Sequence, residues 1–166
     1  MGSALMHPEQ RFGRRPPRMD TIFDRYDPAV WFVTFCAYQR RAVLASPAIH
    51  DALIAFARRG HEDRGVAVGR YVLMPDHVHL FVCARREFAL GDWVKLLKQH
   101  LGKALGHRRD RDGRLWQEGF FDHLLRHDES LTQKWEYVRM NPVRAGLVAN
   151  ADEWQFQGEI VPIDRV

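Results

Sequence analysis

The chain contains little cysteine and no long apolar run. Its only cysteines are Cys36 and Cys83, too few for a disulfide framework and without the close spacing of a metal site. No stretch of about 18 apolar residues occurs, which excludes a transmembrane helix. The N-terminal segment also lacks the apolar core of a secretory signal. Together these absences predict a cytoplasmic protein whose thiols are reduced.

Lysine is scarce as well, whereas arginine is abundant. Only four of the 25 cationic residues are lysines, and the formal net charge is +4. The arginines concentrate in an N-terminal segment and around the sequence HRRDRDGR. A guanidinium group binds phosphate through two N–H groups and stacks on bases. Charge therefore leaves two interpretations open, a nucleic-acid partner or a proteome that favours arginine in all its proteins.

Length and hydrophobic periodicity predict one domain flanked by two irregular segments. The 166 residues suit a single core. Proline and glycine separate a basic arm at residues 1–28, and periodicity ends near residue 148, which leaves a tail at 149–166. The predicted elements between them are strands at 30–38, 66–74, 77–83 and within 116–126, and helices at 47–60, at 89–106 and from Asp128 to just before Pro142.

This element order is that of a ferredoxin-like, split βαβ fold. We therefore predict an α+β domain, in which an antiparallel sheet carries helices on one face and is followed by a C-terminal helix that contains Tyr137. The other sheet face stays open and is free to carry a site. RNA-recognition modules share this layout.

Two histidines stand two residues apart in the predicted strand at 77–83. Because side chains alternate along a strand, His77 and His79 point to the same face, while Val78 and Leu80 point to the other. Paired imidazoles on an open sheet face can bind one divalent cation. Taken alone, the motif also fits two histidines that alternate by chance.

The third predicted helix carries Tyr137 and Asn141, which are four residues apart. This spacing places them on one helix face, whereas Trp135 and Val138 lie on another face that can serve the core. Tyr137 can thus point away from the core and toward the histidine face. By itself the pattern also fits an ordinary surface tyrosine.

Three motifs follow one another along the chain. They are MPDHVHL at 74–80, WQEGFFDH at 116–123 and YVRMNPVRAGLV at 137–148. Together they resemble the REP-associated tyrosine transposases, domesticated relatives of the single-tyrosine HUH transposases. The resemblance runs from about Trp31 to Val148, and it implies an HUH transposase domain at 29–148.

The resemblance also implies the roles of four residues. His77 and His79 would bind Mg²⁺ or Mn²⁺, and Asn141 would be the third ligand, where many relatives have glutamine. Tyr137 would attack the scissile phosphate and form a 5′-phosphotyrosine, leaving a free 3′-OH. The implied substrate is single-stranded DNA with the hairpins of repetitive extragenic palindromes. The implied setting is the bacterial nucleoid, where the protein acts as a monomer rather than as a dimer that exchanges tyrosine helices.

Basic and aromatic side chains outside the implied metal and tyrosine positions are candidates for DNA contact. They are Arg14, Arg15, Lys103, Arg108, Arg109, Arg111 and Trp116. Phosphate binding and base stacking are the functional interpretations, and a solvated surface or core packing are the alternatives. His123 and His127 are interpreted as structural or DNA-contacting, because a strand end and a helix start separate them.

Two other functions remain open from the sequence. A non-catalytic nucleic-acid-binding module would present aromatic side chains on the sheet face where this chain has histidines. A zinc hydrolase would need a third histidine, cysteine or carboxylate ligand and would make no use of Tyr137. A covalent phosphotyrosine adduct distinguishes the transposase from both.

Overall fold

The computed structural model describes residues 28–85, 87–106, 113–126 and 131–163, so the predicted arm, apart from Pro28, lies outside the described residues. The described elements are β1 (Ala29–Cys36), α1 (Pro47–Arg64), β2 (Ala67–Leu73), β3 (His77–Ala84), α2 (Leu90–Leu105), β4 (Phe121–Leu124), α3 (Leu131–Arg139), α4 (Asn141–Arg144) and β5 (Gln157–Glu159), with 3₁₀ turns at Tyr38–Arg40 and Ala151–Glu153. None of the helices in these ranges is long and apolar enough to cross a membrane.

The five strands form one antiparallel sheet in the order β4-β1-β3-β2-β5. The first four strands have the order of a ferredoxin-like sheet, and the predicted α+β class is confirmed. β1 and β3 occupy central positions, as expected of strands whose side chains are mostly apolar and buried. Their register pairs Thr34 with His79 and Cys36 with His77, which places these polar side chains on one face of the sheet.

Helices α1 and α2 cover the opposite face and build the larger core with it. The Ser46 Oγ accepts a hydrogen bond from the Ile49 N–H at 3.4 Å, so α1 starts as predicted. The helix continues past the predicted end at residue 60, because the left-handed cap is Gly65 (φ 66°) and not Gly60. The apolar stripe that predicted α2 is buried along its whole length.

A second, smaller core lies on the histidine face of the sheet. It contains Val30, Phe32, Val72, Met74, Phe81, Leu125 and Val138. Val138 belongs to α3, so this helix packs on the face that the sequence predicted to be open. The sequence did not predict this cover, because Phe32 and Phe81 fit a strand pattern whichever element buries their outer side. The histidines consequently lie at the edge of a packed layer.

The chain does not run as one helix from α3 to Pro142. α3 ends at Arg139, Met140 has φ −81° and ψ −3°, and α4 begins at Asn141 with Pro142 in its first turn. Proline has no N–H to donate to the carbonyl four residues earlier, so the helical ladder breaks and a new turn begins. The predicted helix start at Asp128 lies outside the described residues.

Part of the predicted tail at 149–166 joins the sheet. β5 pairs with β2 at its edge, Phe156 is buried in the larger core, and the indole of Trp154 donates to the carbonyl oxygen of Leu73 at 3.0 Å. A three-residue strand is too short to show a period of two, which explains why no element was predicted here. Residues 164–166 lie beyond the described ranges.

Candidate active site

The two predicted histidines lie side by side at the start of β3. The ring centroids of His77 and His79 are 4.6 Å apart and the rings are nearly perpendicular, at 84°. Both side chains are half-buried. Strand alternation therefore brings the two imidazoles together on one face, as the spacing predicted.

Each imidazole is held through its Nδ1 atom. The Nδ1–H of His77 donates to a carboxylate oxygen of Asp76 at 2.6 Å, and a hydrogen bond of 2.7 Å joins the Nδ1 of His79 to the Thr34 hydroxyl. Partners of this kind fix the ring orientation and leave the other nitrogen, Nε2, as the ligand atom. No role for Asp76 or Thr34 was predicted from the sequence. Thr34 could have been noticed as the one polar residue in the apolar strand AVWFVTFC.

Asp76 is itself positioned by an arginine with an unusual backbone. The Nε of Arg40 lies 2.8 Å from the Asp76 carboxylate, and another guanidinium nitrogen donates to the Cys36 sulfur at 2.7 Å. Gln39 and Arg40 have φ values of 52° and 55°, a left-handed conformation that costs about 1–3 kcal/mol per non-glycine residue. Burial would raise the pKa of Asp76, but His77 and Arg40 outweigh it and lower that pKa below its ordinary value.

An aromatic ring of β1 packs against His79. Its ring stacks on Phe32 with centroids 5.4 Å apart, and the ammonium of Lys134 lies 5.1 Å from the centroid of the Phe32 ring. Burial, assisted by the positive potential of His77, Arg40 and Arg144, lowers the pKa of His79 well below 6.5. The ring is therefore neutral at pH 7, which is the form that binds metal ions.

Tyr137 is exposed on α3, as predicted. Its relative exposure is 66%, whereas Val138 beside it is buried. Trp135 anchors the helix against Phe81 at 6.4 Å between centroids, and Phe81 follows His79 by two residues on the same face of β3. α3 thus carries Tyr137 on the histidine face of the sheet.

Asn141 lies on α4, so it does not share a helix with Tyr137. The two residues are instead linked by Arg144. The guanidinium carbon of Arg144 lies 4.2 Å from the centroid of the Tyr137 ring, and one of its nitrogens donates to the Tyr137 carbonyl at 2.8 Å and also to the Asn141 Oδ1. No role for Arg144 was predicted from the sequence.

The ligand types available near the histidines limit the choice of metal. In the described part of the chain, no group of three or more histidine, cysteine, aspartate or glutamate side chains is arranged to hold a metal ion. A structural or catalytic zinc site normally uses three or four such ligands. Within the described ranges, the two histidines therefore have no third ligand of these types grouped with them.

The candidates for DNA contact divide into two groups. Lys103 is exposed on α2 and, with Lys95 and Trp116, lines a groove of about 430 Å³. Trp116 is half-buried, donates from its indole to the Lys98 carbonyl at 2.8 Å and packs edge-on against Phe35, so packing is its main role. The described ranges exclude the remaining predicted contacts: Arg14, Arg15, Arg108, Arg109 and Arg111.

Comparison with known families decides the relationship of this chain. Residues 29–141 match the family described as Transposase IS200 like, and this match covers more than half of the sequence. The chain belongs to the IS200-like transposase family. This match supports a role in DNA transposition. It also agrees with the resemblance to tyrosine transposases that the three sequence motifs indicated.

Named relatives of this transposase agree with the family. The REP-associated tyrosine transposase of Escherichia coli K12 is 24% identical over 130 residues, which span 76% of this chain and 73% of the relative. A candidate REP-associated tyrosine transposase of Haemophilus influenzae is 26% identical over 109 residues, 55% of this chain and 62% of the relative. Both relatives are named as members of the class that the sequence motifs resemble.

Solved structures establish that the fold is shared. A REP-associated tyrosine transposase bound to a REP hairpin superimposes with a TM-score of 0.65 and 22% identity, over 78% of this chain and 76% of that chain. A candidate transposase from Deinococcus radiodurans R1 superimposes with a TM-score of 0.51 and 21% identity, over 69% of this chain and 92% of that chain. This transposase therefore shares its fold with both structures.

Lys98 supports the second family motif from α2. Its ammonium donates to the carbonyls of Gln117 and Gly119 at 3.1 and 2.5 Å and lies 5.6 Å from the centroid of the Phe35 ring. Burial lowers the pKa of Lys98 to about 8, although the nearby Cys36 opposes this shift. In this transposase Lys98 therefore positions the WQEGFF segment and is not a free cation of the surface.

The lowered pKa of Lys98 predicts a pH dependence of stability. Below pH 8 the folded and unfolded states both hold the proton, whereas between pH 8 and 10.5 the unfolded state holds more. The free energy of unfolding should thus rise over this interval relative to Lys98→Met, by about 1–2 kcal/mol after allowance for solvent screening. Urea unfolding of both proteins at several pH values measures the difference. Parallel pH profiles would contradict the assignment.

Proposed function

We propose that this transposase cleaves and rejoins single-stranded DNA, with Tyr137 as the nucleophile. One observation carries the proposal. Two imidazoles whose Nδ1 atoms are both engaged lie at the edge of a packed layer, and α3 places an exposed tyrosine on the same sheet face. Membership of the IS200-like transposase family supports the proposal, because transposition requires DNA strands to be cut and joined.

The reaction exchanges one phosphate ester for another. The Tyr137 hydroxyl oxygen forms a bond to the scissile phosphorus, and the bond from phosphorus to the 3′ oxygen breaks. The phenol loses its proton, and the departing 3′ oxygen gains one. The products are a 5′-phosphotyrosine and a free 3′-OH. Because the ester energy is kept, a 3′-OH can attack the adduct and reseal a strand without ATP.

The donor atoms fit a divalent cation such as Mg²⁺ or Mn²⁺. The Nε2 atoms of His77 and His79 and the Oδ1 of Asn141 would hold it, which leaves about three positions of an octahedral site for phosphate and water. When bound, the cation would neutralise charge on the scissile phosphate and orient it toward the Tyr137 hydroxyl. Asp76 and Thr34 keep the two rings oriented for this role.

We further propose that the substrate is hairpin-bearing DNA. A solved structure with the same fold is described as bound to a REP hairpin, and a relative in Escherichia coli is named for REP elements. The phosphate contacts would come from the arginine-rich segments and from Lys103. Phe121 is 44% exposed, and the centroid of its ring lies 6.5 Å from that of Phe32. Its ring is therefore available to stack on an unpaired base near the histidines.

A strand-labelling experiment tests this function. The protein is incubated with Mn²⁺ and a single-stranded oligonucleotide that contains a palindromic hairpin, labelled at either end, and the products are separated on a denaturing gel. A 3′-end label should migrate with the protein, whereas a 5′-end label should appear on a shorter free strand. Intact DNA that is bound but never attached to protein would instead support the non-catalytic binding module.

A further inference from the structure

Arg144 contacts both groups that the proposed reaction uses on α3 and α4. Its guanidinium lies over the Tyr137 ring, donates to the Tyr137 carbonyl and donates to the Asn141 amide oxygen. One exposed side chain therefore connects the tyrosine and the amide.

Among the residues that the structure describes, no carboxylate compensates the charge of Arg144. Arg40, Arg59, Arg70 and Arg139 each pair with an aspartate or glutamate. Within the described ranges, no ion pair of this kind involves Arg144. Its partners are a neutral amide, a backbone carbonyl and an aromatic ring. A guanidinium binds a phosphate through two charge-assisted hydrogen bonds, which are stronger than bonds to a neutral oxygen.

We propose that Arg144 is a catalytic residue that exchanges one hydrogen-bond partner for another, releasing Asn141 and binding the scissile phosphate. In the absence of DNA, the guanidinium donates a hydrogen bond to the Asn141 Oδ1, which competes with metal binding by that oxygen. When the phosphate enters beside Tyr137, Arg144 turns to the phosphate, and the amide oxygen becomes available to the cation. Arg144 then stabilises the charge that develops on the phosphate oxygens during attack. This inference rests on the proposed function.

The exchange predicts opposite effects on metal binding and on chemistry. Arg144→Met removes the competitor for Asn141 and a positive charge near the site, so Mn²⁺ affinity without DNA should increase about 5-fold. The same substitution removes a phosphate ligand, so the rate of adduct formation at saturating Mn²⁺ should fall about 100-fold. Arg144→Lys keeps the charge and should recover part of the rate.

The experiment combines Mn²⁺ titration, followed by the electron paramagnetic resonance of the free ion, with adduct rates on 3′-labelled hairpin DNA. Arg59→Met is the matched control, because it removes the same charge from the exposed surface of α1, on the other side of the sheet; it should change neither quantity. In an Asn141→Ala background, Arg144→Met should lose most of its gain in Mn²⁺ affinity, because the competition has been removed.

The outcomes separate this inference from the function on which it rests. A loss of both Mn²⁺ affinity and rate would overturn it in favour of a purely structural role for Arg144, and unchanged values would overturn it outright. If the wild-type protein forms an adduct and Tyr137→Phe does not, the proposed function stands whatever Arg144→Met does. If the wild-type protein forms no adduct, the proposed function fails, while the titration still reports on the contact between Arg144 and Asn141.

Discussion

Substitution of His79 by alanine is expected to reduce DNA cleavage by a factor of about 1,000 or more, because one ligand of the proposed cation is lost. His77→Ala should have the same effect. Both variants should also bind Mn²⁺ more weakly. Adduct formation on labelled hairpin DNA and Mn²⁺ titration measure the two effects.

The structure adds a stability cost that the sequence did not predict. His79 stacks on Phe32 and bonds to Thr34, so alanine leaves a gap in a packed layer and should destabilise the fold by about 1–3 kcal/mol. Urea unfolding must therefore accompany the assay.

Asp76→Asn removes the carboxylate charge that orients His77 but keeps both histidine ligands, so it should weaken Mn²⁺ binding by about 10-fold in the same titration.

Controls distinguish a metal role from a general loss of structure. His100 is exposed on α2 and packs against Phe56, so His100→Ala should retain full activity. Wild-type protein in excess chelator should behave like His79→Ala. Undiminished cleavage in chelator would show that His77 and His79 do not act through a metal ion.

Tyr137→Phe is expected to eliminate the covalent protein–DNA adduct. The substitution removes one oxygen and keeps the ring that Arg144 covers. Because the side chain is 66% exposed, neither stability nor affinity for the hairpin should change appreciably. The denaturing gel should show no labelled protein and no free 3′-OH fragment, a loss of at least about 1,000-fold.

Another tyrosine provides the matched control for this variant. Tyr38 is half-buried in the turn after β1, where the Arg114 guanidinium lies 5.5 Å from the centroid of its ring. Tyr38→Phe removes the same oxygen away from α3 and should leave adduct formation intact. Tyr71 is less suitable as a control, because its buried hydroxyl is hydrogen-bonded to His50 at 2.6 Å. A persistent adduct in Tyr137→Phe would assign the attack to a different residue.

The parts of the fold that periodicity predicts are the long ones. β1 is an apolar run interrupted only by Thr34, and α2 has five apolar positions at helical spacing, so the predicted ends of both lie within two residues of the observed ends. β5 has three residues and is defined by its edge position beside β2, which no local pattern encodes. The helix breaks at Met140 because Pro142 has no N–H to donate. Pro142 predicted the end of α3, but no sequence pattern predicted that α4 would follow it.

The site shows the same division between local and long-range information. Strand alternation predicted that His77 lies beside His79, and helical spacing predicted that Tyr137 is exposed. The contact between Thr34 and His79 joins residues of two strands, so it requires the register of β1 and β3. Arg144 and Tyr137 are seven residues apart, which is about 10 Å along an unbroken helix. Stacking of Arg144 on the ring follows from the break at Met140 and could not be predicted from spacing.

The site of covalent attachment tests the central claim most directly. Trypsin cuts after Lys134 and Arg139, so it releases the peptide WEYVR, in which Tyr137 is the single hydroxyl-bearing residue. Wild-type protein is allowed to react with hairpin DNA and Mn²⁺, denatured, treated with nuclease and trypsin, and examined by mass spectrometry. We expect the mass of a 5′-linked nucleotide on this peptide. The same mass on a peptide that contains Tyr26, Tyr38 or Tyr71, or cleaved DNA without any peptide adduct, would contradict the assignment of Tyr137 as the nucleophile.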